Sequence, residues 1–165
     1  MGRLQFSPAA AGEPTVFGAC RPAHSSRAPD TTGQEWIEYM QEQGIERVCC
    51  LLTDQHLGQY DDLLAAYEHA FGATNVCHAP IPDFEFVDSV VFREIILPFL
   101  CESDEQGVRT VVHCSAGIGR TGHILALWLA TERGYTLKEA VDAVRETGRG
   151  PLEAGSLDQL AARLN

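Results

Sequence analysis

Cys114 and Arg120 stand six positions apart in the stretch Val111–Gly122, VVHCSAGIGRTG. A cysteine thiolate is a strong nucleophile, and an arginine guanidinium is a planar, permanently charged fork that holds two oxygens at once. A phosphoryl group suits this pair. Its anionic oxygens can be cradled by successive backbone N–H groups of a tight loop and by the dipole of a helix N-terminus. Ser115, Ala116, Gly117, Ile118 and Gly119 would line the cradle, and all but Ile118 are small enough to leave its concavity open. The same positive field favours the thiolate of Cys114, placed for in-line attack on phosphorus. As a mere buried small hydrophobe, the usual fate of a free cysteine, Cys114 would need neither the arginine nor the glycines.

Such a loop needs a rigid platform. Arg109–His113 predicts a buried strand leading into it, and Arg120–Glu132, apolar nearly all round, a central buried helix leading out. Upstream, residues 3–19 predict a short strand pair with Val16–Ala19 the better candidate, Arg21–Asp30 a Pro/Ser-rich loop, and Arg47–Leu52 and Asn75–Ala79 two further strands. Thr32-Gly33-Gln34-Glu35 has the pattern of a capping box for a helix reaching about Gln43, with Trp36, Ile37 and Met40 inward and Gly44 ending it. A helix is expected over Tyr60–Phe71. Another, capped by Asp88 or Ser89, should run to about Cys101 with Pro98 near its end. Thr136-Leu137-Lys138-Glu139 caps a helix ending near Thr147, Gly148–Gly155 is loop, and Ser156 caps the last helix.

Strands alternating with helices predict an α/β fold, a central, mainly parallel sheet with helices on both faces, in one domain over residues 1–165 with 1–12 expected to be flexible. In such sheets ligands bind at the carboxyl ends of the strands. The Cys114 loop follows one strand, and Pro80-Ile81-Pro82-Asp83-Phe84, stiffened by two prolines, follows another. That brings an acid, Asp83, to the same rim, with Glu85 and Asp88 as neighbouring alternatives.

The motif H-C-x5-R-[ST]-G, here His113–Gly122, resembles the signature loop of cysteine-based protein tyrosine phosphatases, in particular the compact dual-specificity branch of prokaryotic and archaeal type. The entry Gly44–Val48, the Pro82-Asp83 loop and the basic segment Arg145–Gly150 fall where that branch places corresponding elements, so the resemblance extends from Gly33 onward and more weakly over Phe17–Pro22. It implies that Cys114 forms a cysteinyl-phosphate and that Arg120 binds the phosphoryl oxygens and stabilises the transition state. It further implies that Asp83 acts as general acid and then general base, that Thr121 hydrogen-bonds the thiolate, and that His113 orients the loop. No metal and no other cofactor is implied. Relatives carry a water-positioning glutamine in the region of Arg149, but here Gln159 lies further along, in the final helix. His123 is expected to pack, Arg21 to be solvated, and Arg149 to meet substrate anions. A further hypothesis pairs oxidised Cys114 with Cys49 or Cys50 in a protective disulfide.

Relatives acting on inositol phosphates carry lysines in this loop, whereas Ser115, Ala116 and Ile118 stand here. A single phosphate on a protein side chain is therefore the expected substrate, phosphotyrosine foremost, with phosphoserine and phosphothreonine left open. A non-catalytic phosphate-binding module would be marked by loss of Cys114 or Asp83, and a thiol redox sensor would not need Arg120. Rhodanese-like loops differ in spacing, and the low-molecular-weight phosphatases place the cysteine near the N-terminus.

The chain carries a net charge of −11, with 23 acids against 12 bases, which disfavours nucleic acid and anionic membranes as partners. Lys138 is the one lysine. A carboxylate-rich, lysine-poor surface fits a halophilic, salt-accumulating cytoplasm, or equally an acidic protein from a GC-rich genome. The six cysteines contain no C-x-x-C pair. The N-terminal segment resembles neither a signal peptide nor a myristoylation site. A cytoplasmic location, reduced thiols and a monomer acting on a phosphoprotein are the expectation.

Overall fold

A computed structural model of the chain describes residues 2–24 and 30–165. Five strands form one sheet in the order β1-β2-β5-β3-β4: β1 (Ser7–Pro8), β2 (Val16–Ala19), β3 (Ile45–Cys50), β4 (Val76–His78) and β5 (Arg109–His113). β1 runs antiparallel to β2, and the other pairings are parallel. Alternation along the strands divides the core. On one face α1 (Gln34–Glu42) and α3 (Leu63–Phe71) cover Phe17, Val48, Cys50 and Val111. On the other, α5 (Leu97–Gln106), α6 (Arg120–Glu132) and α7 (Leu137–Glu146) cover Val16, Cys49 and Val112. Burial on both faces explains why β3 and β5 read as nearly unbroken apolar runs.

α6 runs over the expected residues and is buried from Arg120 to Leu129. The caps at Thr136 and at Ser156, which opens α8 (Leu157–Ala161), are full capping boxes. Other boundaries differ, each for a local reason. Thr32 does not cap α1. Gly33, in the left-handed region at φ +71°, holds that position, while Asp30 accepts from the Glu35 amide at 3.2 Å and the Thr32 hydroxyl at 2.6 Å. The expected helix from Tyr60 begins only at Leu63, where Asp62 accepts from the Ala65 amide, and a short helix, α2 (Asp54–Leu57), precedes it. Asp88 does cap α4 (Ser89–Val91), but Pro98 does not lie near the helix's end. A π-helical segment, Phe92–Ile96, precedes α5, which continues to Gln106. A wider turn ahead of a proline relieves the ring's clash with the preceding turn. The segment expected to be flexible carries β1, and Ala9 and Ala10 are buried in the core. Of the expected loop Arg21–Asp30, residues 25–29 lie outside the described residues. Among the described residues no helix is long and apolar enough to cross a membrane.

Candidate active site

The loop between β5 and α6 starts where the ladder ends. His113 pairs with Ala19 on one side and Cys50 on the other, and Arg21 N–H continues the β2 side by donating to Ser115 O at 2.9 Å. The chain then turns sharply at Gly117, φ +79°, against the backbone of Ala19 and Cys20. Among the described residues nothing accepts from the N–H groups of Ala116, Gly117, Ile118 or Gly119. These donors, with the N-terminus of α6 beneath them, make an anion-binding concavity.

Cys114 forms the floor, only 2% exposed. The Thr121 hydroxyl, on the first turn of α6, donates to Cys114 Sγ at 3.1 Å. His113 is fully buried. Its Nδ1 lies 3.1 Å from Cys114 O and its Nε2 2.9 Å from the Tyr67 hydroxyl. A carbonyl only accepts, so the proton sits on Nδ1, and Nε2 accepts from Tyr67. Burial holds the His113 ring neutral, its pKa pushed down to about 4. Trp36 packs edge-on against the same ring and donates its Nε1–H to Cys20 O at 2.8 Å. His113 thus fixes the Cys114 carbonyl rather than the thiol, and Tyr67 fixes His113.

Arg120 is buried, and its guanidinium crosses to the neighbouring loop, donating to Ile81 O at 3.0 Å and lying 3.6 Å from Asp83 Oδ1. That loop is held by the Ala79 and Ile81 amides, which donate to Cys50 O and Leu51 O, extending the β3–β4 pairing past the strand ends. Asp83 is half exposed. Of its rivals, Asp88 is committed to the amides of Val90 and Val91, and Glu85 is exposed and does not line the cleft. The cleft, about 320 Å³, runs from Cys114 and Arg120 to walls made by Asp83, Phe84, His24 and Glu153. The arrangement brings together a thiol floor, an arginine fork, free amides and a carboxylate at the mouth.

Two arginines differ from expectation. Arg21 is not merely solvated. It donates to Ser115 Oγ at 3.0 Å and to the Tyr60 hydroxyl at 2.9 Å, while Tyr60 donates to Pro22 O, so it braces the rim of the loop. Arg149 does not face the cleft but is 3% exposed beneath the loop. It donates to Gly117 O, to Gln5 O at 2.7 Å and to Ser7 Oγ at 2.9 Å. Burial lowers its pKa to about 10. Its space exists because position 18 is glycine, where a Cβ would lie 2.8 Å from Arg149 Cζ. His123 packs as expected: buried, edge-on to Phe86, accepting from the Val87 amide at 3.1 Å. Gln159 is engaged in the last cap, its Oε1 accepting from Ser156 N–H at 2.8 Å. Cys49 faces Cys77 across the ladder. Among the described residues no three His, Cys, Asp or Glu side chains are grouped to hold a metal ion.

Tk-PTP, solved in its active form, is similar over 91% of this chain and 90% of its own, at 26% identity and a TM-score of 0.72. Kinase associated phosphatase, solved with its catalytic-site cysteine replaced by serine, shares the fold over 90% of this chain and 86% of its own, with a TM-score of 0.74 at 21% identity. The tyrosine-protein phosphatase cdc-14 of Caenorhabditis elegans is 39% identical over 64 residues, which are 38% of this chain and 9% of that protein, so the chain spans less than a tenth of that curated relative. The sheet, its flanking helices and the cysteine loop at the strand ends have the protein tyrosine phosphatase architecture. A family model described as "Polymorphic toxin system, DSP-PTPase phosphatase" matches residues 18–133, and the chain belongs to that dual-specificity phosphatase family.

Proposed function

We propose that the protein hydrolyses phosphomonoesters on protein side chains through a cysteinyl-phosphate at Cys114. The observation that carries this is the Cys114 thiol at the floor of a ring of free amides, hydrogen-bonded by Thr121, with Arg120 and Asp83 at the mouth. In the first step the thiolate attacks phosphorus while Asp83 protonates the leaving oxygen. Arg120 exchanges its contacts with Ile81 O and Asp83 for two phosphoryl oxygens, and so both clamps the transition state and frees the acid. In the second step Asp83 takes a proton from water, the P–S bond breaks, and Thr121 stabilises the departing thiolate. His113, neutral and doubly hydrogen-bonded, keeps the loop's first carbonyl turned away from the phosphate.

The substrate is a singly phosphorylated side chain, since no lysine stands in the loop to hold further phosphates. Phosphotyrosine comes first: the exposed Phe84 ring beside Asp83 walls a cleft with room for an aromatic ring above the phosphate.

The test is hydrolysis of p-nitrophenyl phosphate by wild type, Cys114→Ser, Arg120→Lys and Asp83→Asn, at low and at molar salt. Cys114→Ser should be inactive, and Arg120→Lys should lose heavily because lysine cannot reproduce a two-point clamp. Equal turnover by wild type and Cys114→Ser would sink the mechanism. Unimpaired Asp83→Asn would move the acid's role to Glu85. A panel of phosphotyrosine and phosphoserine peptides then ranks the substrates.

A further inference from the structure

A cysteinyl-phosphate is hydrolysed only if a water sits opposite Sγ, at the mouth of the cleft, with a lone pair aimed at phosphorus. That orientation is set by what accepts its two hydrogens. Few acceptors are available. Ser115 Oγ accepts from Arg21, and the Thr121 hydroxyl is turned inward to Sγ. The amide oxygen of Gln159 is tied to Ser156 N–H, and Gln159 does not line the cleft.

Two carboxylates remain, on opposite walls. One is Asp83. The other is Glu153, held by a turn in which its N–H donates to Gly150 O at 3.2 Å. Its side chain lies against two glycines, Gly119 of the cysteine loop and Gly150 of its own turn. A Cβ at Gly119 would collide with Glu153 Oε2, and one at Gly150 would lie 3.1 Å from its Cγ. Gly119 is the last residue of the cradle before Arg120, so the carboxylate reaches the edge of the phosphate site. Among the described residues no hydrogen bond or ion pair engages that carboxylate, which leaves both oxygens available.

Resting on the phosphatase reading above, we infer that Glu153 is the positioning residue for the hydrolytic water. Glu153 accepts one hydrogen of the water while Asp83 accepts the other and takes it as a proton. The water oxygen bonds to phosphorus, the P–S bond breaks, and its electron pair returns to Cys114 as thiolate, releasing inorganic phosphate. Because Glu153 carries negative charge beside a dianion, it does not help substrate bind. Its contribution falls entirely in the second step.

This separates its kinetic signature from that of a structural or a merely repulsive residue. The full chain is followed in pre-steady state on p-nitrophenyl phosphate, as wild type, Glu153→Ala and Glu153→Gln. For Glu153→Ala, kcat should fall on the order of 10- to 100-fold and KM should fall in parallel. kcat/KM, which reports the first step, should stay near wild type, and nitrophenol should appear in a burst stoichiometric with enzyme. Glu153→Gln, whose amide oxygen still accepts, should recover most of the turnover. An unchanged kcat, a kcat and kcat/KM that fall together, or a kcat/KM that rises without a burst would each overturn the inference. Loss of Cys114 dependence in the wild type itself would instead remove the phosphatase reading, and the inference with it.

Discussion

Replacing Gly117 by alanine should damage the protein twice over, and the two parts can be separated. Gly117 has φ +79°, where a side chain costs about 1–2 kcal/mol. A Cβ there would also lie 2.7 Å from Ala19 C and O and 2.8 Å from Cys20 N. These are backbone atoms at the carboxyl end of β2 and cannot swing away, so the overpacking adds about 1–3 kcal/mol. The total of about 2–5 kcal/mol corresponds, for a chain of this size, to a fall in Tm of about 4–20 °C. If the loop moves to escape the clash, its amides shift by a sizeable fraction of an ångström, and kcat/KM should fall on the order of 100-fold. Gly134→Ala is the control: its φ is +74°, but nothing lies within 4 Å of its Cβ. It should lose about 1–2 kcal/mol from φ alone and keep its activity. Thermal unfolding and p-nitrophenyl phosphate hydrolysis of both variants decide the matter. If Gly117→Ala matches Gly134→Ala in both, the close approach of loop to strand is not what shapes the cradle.

Thr121→Val removes a hydrogen bond to an ionised acceptor worth about 1.5–3 kcal/mol, so breakdown of the phosphoenzyme should slow about 10- to 150-fold; an unchanged kcat in rapid-mixing kinetics would contradict the role of its hydroxyl. Burial lowers the pKa of His113 to about 4 and of His123 to about 3, from an ordinary 6.5. The unfolded chain therefore binds more protons than the folded one as pH falls below about 6.5. The stability is full above that pH and is lost progressively toward pH 4, by about 3 kcal/mol for His113 alone. A denaturation profile that is flat over this interval would refute it. Arg149→Met leaves the carbonyls of Gly117 and Gln5 without their buried donor and should cost about 2–6 kcal/mol in urea unfolding, about 1–3 for each orphaned acceptor; a loss below about 1 kcal/mol would mean that the guanidinium does not hold the loop.

The placement of the candidate site was legible because it is local. Cys114, Thr121 and Arg120 lie within one strand–loop–helix unit, and Asp83 follows from a loop at the same sheet rim. The sheet was legible for the same reason: β3 and β5 are apolar on both faces, and α6 nearly all round. What was missed depends on contacts between segments far apart in sequence. Nothing near Arg149 marks it as buried; it turns inward because Gly18, 131 positions earlier, leaves room for it. Arg21 looks solvated until the Tyr60 hydroxyl and Ser115 Oγ are placed beside it. Tyr67 belongs to the apolar stripe of a helix, and only tertiary packing shows its hydroxyl meeting His113. Glu153 had one local hint, the glycines on either side of it at Gly150 and Gly155, but its place at the cleft requires Gly119 from the signature loop. The misplaced helix starts have a different cause. Asp30 takes the Glu35 amide that Thr32 was expected to hold, a choice between neighbouring hydrogen-bonding side chains that sequence pattern alone leaves degenerate, and Asp62 sets the start of α3 by capping the Ala65 amide.

The central claim is that phosphate passes through the Cys114 sulfur. Acid quench of the enzyme during turnover of p-nitrophenyl phosphate, followed by peptide mass mapping under acidic conditions, tests it directly. One phosphoryl group on the peptide containing Cys114, absent in Cys114→Ser and increased in Thr121→Val, is the predicted result. Sustained turnover with no phosphoryl group on Cys114 in either wild type or Thr121→Val would contradict the account.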